Sequence, residues 1–213
     1  MPVKGAAMPD NAVTLRITEP TDYPYFELWW NNQTIADACR NTLETLTDEQ
    51  IDALFHDAND TDDDRQFGRT VLDANGQPIG HIAAWGCTDP EREATMTLLI
   101  GPYYQGRGYG NQAMKLGIRL AASQLGAKTI IVKVWSFNLR ARHMAESLGF
   151  KEAERRPEAV EREGHLYDEV TYRAPVELLL QRISAEEVER REGEELERQR
   201  FASNRSADLQ SVF

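Results

Sequence analysis

Cysteine and histidine are scarce in this chain: two cysteines, Cys39 and Cys87, and four histidines, His56, His81, His143 and His165. None of them falls into the Cys/His pairing or the His-Glu-x-x-His pattern of a zinc site, so no metal is expected. Two isolated cysteines are expected to be buried thiols, neither bridged nor nucleophilic. No apolar run approaches the ~18 residues of a membrane span, and Met1 to Ala12 hold one lysine and nothing like the apolar core of a secretory signal. The expectations are no membrane partner and a cytoplasmic location. Basic residues are also short, with 24 Lys and Arg against 35 Asp and Glu and a net charge of −11. A nucleic-acid backbone needs a basic stripe, so that partner is excluded. Such a balance suits cationic ligands, or serves only to keep a surface solvated. Internal repeats and low-complexity tracts are missing too.

What is present reads as one domain with extensions, since 213 residues at 41% hydrophobic content can bury a sizeable core. Residues 1–12 are expected to be disordered, 13–175 to form the domain, and 176–213 to form a helical extension. Val13 to Ile17 alternates apolar and polar as a first strand does. Thr21 or Asp22 caps a helix carrying Phe26, Trp29 and Trp30. Thr47-Asp48-Glu49-Gln50 is a capping box before a second helix with Ile51, Leu54 and Phe55. Between Glu44 and Asp64 lie nine carboxylates and no Lys or Arg, either a solvated helix face with a loose loop or a rim that attracts cations. Gln66 to Leu72 and Pro78 to Trp85 are strands joined through Asn75-Gly76, a hairpin turn signal.

The chain is organised around Ala94 to Leu125. A strand ending in Leu98-Leu99-Ile100 leads into Gly101-Pro102-Tyr103-Tyr104-Gln105-Gly106-Arg107-Gly108-Tyr109-Gly110, followed by a helix with Met114, Ile118, Ala121 and Leu125 on one face. Glycines at alternate positions let backbone approach a ligand, and the following helix start favours an anion. Thr129 to Trp135 is a further buried strand, so strand, helix and strand make a right-handed crossover with parallel pairing. Asn138 opens a short helix closed by Gly149 and Phe150. Lys151 to Arg156 and His165 to Arg173 complete the sheet as an antiparallel pair joined by a long polar loop.

These residues carry a resemblance. Gln105-Gly106-Arg107-Gly108-Tyr109-Gly110 is similar to the Q/R-x-x-G-x-G/A pyrophosphate motif of the GNAT acetyltransferases, and Asn138-Leu139-Arg140-Ala141 with Ala145-Glu146-Ser147-Leu148-Gly149-Phe150 resembles the family's downstream signature. Glu163-Gly164-His165-Leu166-Tyr167-Asp168 looks like the closing segment of the branch that acetylates ribosomal-protein N-termini and polyamines. The resemblance spans roughly residues 13 to 173. It implies an α/β GNAT fold with a mixed central sheet, splayed parallel strands and flanking helices, and an N-acetyltransferase using acetyl-CoA. By the same resemblance, Gln105, Gly106, Arg107, Gly108, Tyr109 and Gly110 bind the pyrophosphate. Leu98, Leu99 and Ile100 hold the pantetheine arm, and Asn138 either bonds that arm or only caps its helix.

Transfer requires a neutral amine and a leaving thiolate. A side-chain-type amine of pKa ~10.4 is neutral about once in a thousand at pH ~7.4, a handicap of ~4 kcal/mol, whereas a thiol of pKa ~8.5 leaves readily. Here the chain departs from many relatives, with Ala145 and Ala141 where those carry a Tyr or Ser and Thr95 where a Glu often sits. The replacement candidates are Glu161, as base or amine anchor through water, and Tyr167, as proton donor, among Glu163, His165 and Asp168, with His81 further off. The acceptor is a polyamine, an aminoglycoside-like molecule or a peptide N-terminus. A CoA-binding regulator without turnover and a transferase of a longer acyl group are the alternatives. The extension opens on an apolar cluster at Leu178, Leu179, Leu180 and Ile183, after which Ser184-Ala185-Glu186-Glu187 caps a charged helix that fades near Ser203; these residues with Val188, Leu196 and Phe201 cover either their own domain or a second copy in a homodimer.

Overall fold

The computed structural model describes residues 12–60, 63–88 and 90–210, so the expected disorder of residues 1–12 falls, but for Ala12, outside the described residues. Seven strands, β1 (Val13–Arg16), β2 (Phe67–Asp73), β3 (Pro78–Trp85), β4 (Glu93–Ile100), β5 (Thr129–Trp135), β6 (Lys151–Arg162) and β7 (His165–Pro175), form one sheet in the order β1-β2-β3-β4-β5-β7-β6. The parallel pair is β4 with β5, as a strand–helix–strand crossover dictates. Its register holds only for Glu93↔Thr129, Ala94↔Ile130 and Thr95↔Ile131. Beyond Thr95 the two strands part, and one edge of β4 from Met96 to Ile100 has no strand partner among the described residues.

Helices cover both faces. On one lie α1 (Tyr23–Trp30), α2 (Gln33–Cys39) and α3 (Asp48–Asn59), packed through Phe26, Trp29, Ile35, Ile51 and Phe55 onto Leu99. On the other, α4 (Tyr109–Gln124), α5 (Leu139–Leu148) and α6 (Val176–Gln210) bury Met114, Ile118, Leu148, Leu179 and Ile183 against Ile82, Met96, Ile130 and Val170. The split follows from strand alternation, which sends His81, Thr97 and Leu99 to the α1–α3 face and Ile82, Met96 and Leu98 to the other. Expected local signals are realised at α3, where Thr47 and Gln50 bond reciprocally at 3.3 and 2.9 Å, and at α5, which ends on Gly149 with φ +105°.

Four expectations are corrected. Three helices, not two, precede β2: Asn32 accepts from Thr34 N at 3.0 Å and starts α2, a helix too short and polar to show a period. The long polar loop after Arg156 does not exist. β6 continues to Arg162 and turns through Glu163 and Gly164, both with positive φ, while a bulge around Pro157 and Glu158 absorbs the proline. β6 is the sheet edge and mostly exposed, and a solvated edge strand reads as loop. The third correction is in the tail, where α6 starts directly after Pro175 and runs on without a break at Ser184. Leu196 and Phe201 lie outside the described side chains. Finally, Cys87 is buried, but Cys39 at the end of α2 is exposed.

Candidate active site

The parting of β4 from β5 opens a cleft of about 220 Å³ through the sheet. Its α4–α5 side is walled by Leu98, Met114, Ala141, Met144 and Ala145; its opposite side carries Cys39, Asn41, Thr97, Lys133 and Glu169. Ala141 and Ala145 therefore face the cleft without a proton to give. Trp135 of β5 pairs with Glu169 of β7, and alternation brings Lys133, Trp135, Tyr167 and Glu169 to the α1–α3 face.

Beside the cleft, where Gly110 adjoins Leu98 and Met144 of its wall, the 105–110 loop meets α4. Gly106 and Gly108 take φ +77° and +84°, and Gly108 is the N-cap of α4, a residue with no side chain of its own to cap the first turn. The first-turn amides and the helix dipole make this helix start fit an anion. The Gln105 side chain is engaged within the protein, its Nε2 donating to the Ile100 carbonyl at 3.0 Å and its Oε1 accepting from Arg140 at 2.5 Å, which leaves its backbone to a ligand. It ties the loop to the end of β4. Arg107 is exposed and forms no ion pair among the described residues, so its charge remains available. Leu98 lines the cleft, Leu99 packs on the opposite face under α1, and Ile100 ends the unpaired edge. Asn138 caps α5, accepting from Ala141 N at 3.1 Å, and lines the cleft as well. The downstream motif has a structural reason: Glu146 Oε1 accepts from Tyr172 Oη at 2.8 Å and fastens α5 to β7.

The β6–β7 hairpin is docked onto α2. Arg162 donates to the backbone carbonyls of Asp37 and Arg40, a cation at a helix C-terminus, and its guanidinium lies over Phe137. Tyr167 packs its ring on Phe137 with centroids 4.8 Å apart. Glu161 lies on the opposite face of the ribbon from Tyr167, exposed beside Leu166, and does not line the cleft. Asp168 is held below the usual carboxylate range by the hydrogen bond from Arg155, which lies 3.0 Å away, and it fixes the hairpin. Of the hairpin residues named from sequence, His165 and Tyr167 share a face with the cleft carboxylate. That carboxylate is Glu169, a residue sequence reasoning missed. Its side chain is 17% exposed and lies 3.6 Å from Lys133 and 3.4 Å from Arg156, cations on flexible stems that an incoming ammonium can replace. Thr97 was missed too; exposed where the strands part, it carries the one hydroxyl among the residues that line the cleft.

Cys39 is open to solvent at the cleft, yet the protein packed around it solvates a thiolate poorly and pushes its thiol up to about 11. Fewer than about one in a thousand such groups is ionised at pH ~7.4, which disfavours an acyl-enzyme on this residue. His81, 3% exposed, sits between Phe26 and Phe55 with Nε2 2.8 Å from Asn59 Oδ1. Burial pushes it down to about 3. The unfolded chain takes up this proton near pH 6.5 and the folded one only near 3, so stability falls as pH drops through that window, by up to ~1.4 kcal/mol per pH unit. Urea unfolding at pH 7 and pH 5 should show this loss. His81→Gln, less stable at pH 7, should lose less between the two; an equal loss would assign the slope elsewhere.

A family model described as an acetyltransferase (GNAT) domain matches residues 12–151. No curated protein sequence matches the chain. Among solved structures, a spermidine N-acetyltransferase from Vibrio cholerae in complex with CoA and spermine is similar, with a TM-score of 0.70 and 21% identity over 79% of this chain and 98% of that one. A GNAT-family acetyltransferase from Bacillus anthracis is similar at a TM-score of 0.65 and 14% identity, over 78% and 95%. At these identities the likeness is one of fold. With two thirds of its length matched by the family model and with the strand parting and the glycine-led helix start of that fold, the chain belongs to the GNAT acetyltransferase family, enzymes that depend on acyl-CoA.

Proposed function

We propose that the protein transfers an acetyl group from acetyl-CoA to a primary amine by direct attack in a ternary complex. The observation that carries this is the cleft itself, with the glycine-led start of α4 beside it and the Glu169 carboxylate in its wall. Loop 105–110 and Arg107 receive the pyrophosphate, the free edge of β4 at Leu98, Leu99 and Ile100 runs beside the pantetheine arm, and Asn138 lies along the same wall. Acetyl-CoA supplies an activated thioester. The acceptor nitrogen attacks its carbonyl carbon; the C–N bond forms as the C–S bond breaks, the nitrogen loses a proton, and the leaving sulfur gains one to give free thiol. Glu169 anchors the amine and takes its proton directly or through water, while Tyr167, on the same face, is the proton donor. Glu161, exposed on the opposite ribbon face, contributes charge around the acceptor's approach.

Within the family we place the chain by descent near the branch acting on polyamines and ribosomal-protein N-termini, supported by residues 163–168, a likeness that leaves its own acceptor open. Residues 13–175 are the catalytic unit; α6 adds Leu179 and Ile183 to its core and beyond them offers a surface for a homodimer. A cytoplasmic location belongs to the same reading. The test is thiol release from acetyl-, propionyl- and succinyl-CoA across a panel of amines. Amine-dependent release, fastest with acetyl-CoA, is expected. Tight CoA binding with no release for any acceptor would instead favour a CoA-binding regulator, for which Thr95, Ala141 and Ala145 supply the motive.

A further inference from the structure

Thr97 lines a second cavity, of about 290 Å³, between α3 and the sheet. It is distinct from the cleft that suits the CoA arm, and the two meet at this threonine. Its walls are Trp30, Leu54, Phe55, Phe67, Trp85 and Leu99. It exists because β3 presents Ala83 between His81 and Trp85 on this face, leaving a gap under the aromatic side chains. Its rim carries large apolar side chains, Leu54 at 50% and Trp85 at 42% exposure, beside the exposed Asp57. Large apolar side chains left in water around a concave opening mark a surface that a ligand covers.

We infer that this cavity receives the body of the acceptor, and that the acceptor is a primary amine joined by a short linker to a single apolar, preferably aromatic, ring. The inference rests on the acetyl-transfer reading and deepens it. The amine lies at Thr97 and Glu169, and the ring passes between Trp30, Phe55 and Trp85. Size supports a ring with a short linker, since an apolar cavity of ~150 Å³ already holds benzene. Charge opposes a polyamine in the same place. Its further ammonium groups would meet one carboxylate in the cavity wall, Asp57, beside a His81 that burial keeps neutral, and burying an unpaired cation is costly. Gln66 is the remaining polar wall residue besides Thr97.

The test compares kcat/KM for 2-phenylethylamine, n-propylamine and spermidine with acetyl-CoA. Burying the ring should make phenylethylamine ten- to a hundred-fold better than propylamine, and better than spermidine; parity with propylamine, or a preference for spermidine, overturns the inference while leaving acetyl transfer standing. Ala83→Leu, which fills the cavity, should lower the ratio of kcat/KM for phenylethylamine to that for propylamine about ten-fold. Because Ala83 is buried, Leu54→Ala on the exposed rim provides a second variant, with a loss of about three-fold or more expected for the aromatic amine alone. If no amine releases thiol, the transfer reading falls, and tryptophan fluorescence decides the cavity. Saturable quenching by phenylethylamine that Ala83→Leu abolishes supports a ring subsite, and no quenching overturns it.

Discussion

Gly108→Val is expected to weaken acetyl-CoA binding by two to four orders of magnitude. Gly108 holds φ +84° and ψ −5° as the N-cap of α4, a conformation that a β-branched residue reaches only at a cost of about 1–3 kcal/mol. Relaxing that strain turns the first-turn amides away from the anion they face, and each charge-assisted hydrogen bond so lost is worth ~1.5–3 kcal/mol. Two lost bonds correspond to the stated range, at ~1.36 kcal/mol per factor of ten. Gly76→Val is the control: Gly76 has φ +79° in the β2–β3 turn, with no atom within 4 Å of an added Cβ. It carries the same backbone strain far from the cleft. Calorimetric titration with CoA and urea unfolding should show both variants similarly destabilised and only Gly108→Val unable to bind. Equal CoA affinity in both would detach the loop from donor binding.

The second large effect is expected at Glu169. Glu169→Gln should lower kcat/KM for amines by 100-fold or more with CoA affinity unchanged, because a positioned base contributes typically ~10²–10⁴-fold and a charge-assisted anchor ~1.5–3 kcal/mol. The two roles separate by kinetics. Loss of an anchor raises KM, whereas loss of a base lowers kcat and removes its limb of the pH–rate profile. Less than a three-fold change in kcat/KM would remove Glu169 from the mechanism. Tyr167→Phe deletes only a hydroxyl and keeps the contact with Phe137, so a ten-fold fall in kcat with unchanged stability supports its proton-donor role; parity leaves it a packing ring.

How far the site was legible depends on the range of the interactions that make it. The glycine loop, the Thr47 capping box and the Asn138–Phe150 unit are set by backbone angles and neighbours a few residues away, and they read directly from the chain. The hairpin read only in part. Lys151–Arg156 and His165–Arg173 were legible as an antiparallel pair, but the rest of the charged edge strand, to Arg162, looked like loop because solvent on one side removes the alternation that marks a half-buried strand. The candidate base was missed for a related reason. Asp168 and Glu169 are adjacent, and successive residues of a strand face opposite ways; only the register of β7 on β5, with Glu169 opposite Trp135, decides which carboxylate enters the cleft.

The sequence by itself determined the succession of the seven strands, the parallel crossover and the glycine-led start of α4, since hydrophobic period, caps and glycine positions are local properties. Tertiary structure alone decided where β4 leaves β5, which side chains meet at Thr97, that Cys39 is exposed, and that Ala83 leaves a cavity beneath two tryptophans. Those outcomes depend on contacts between segments far apart in the chain, and no local propensity encodes the register or the spacing at which distant strands and helices pack.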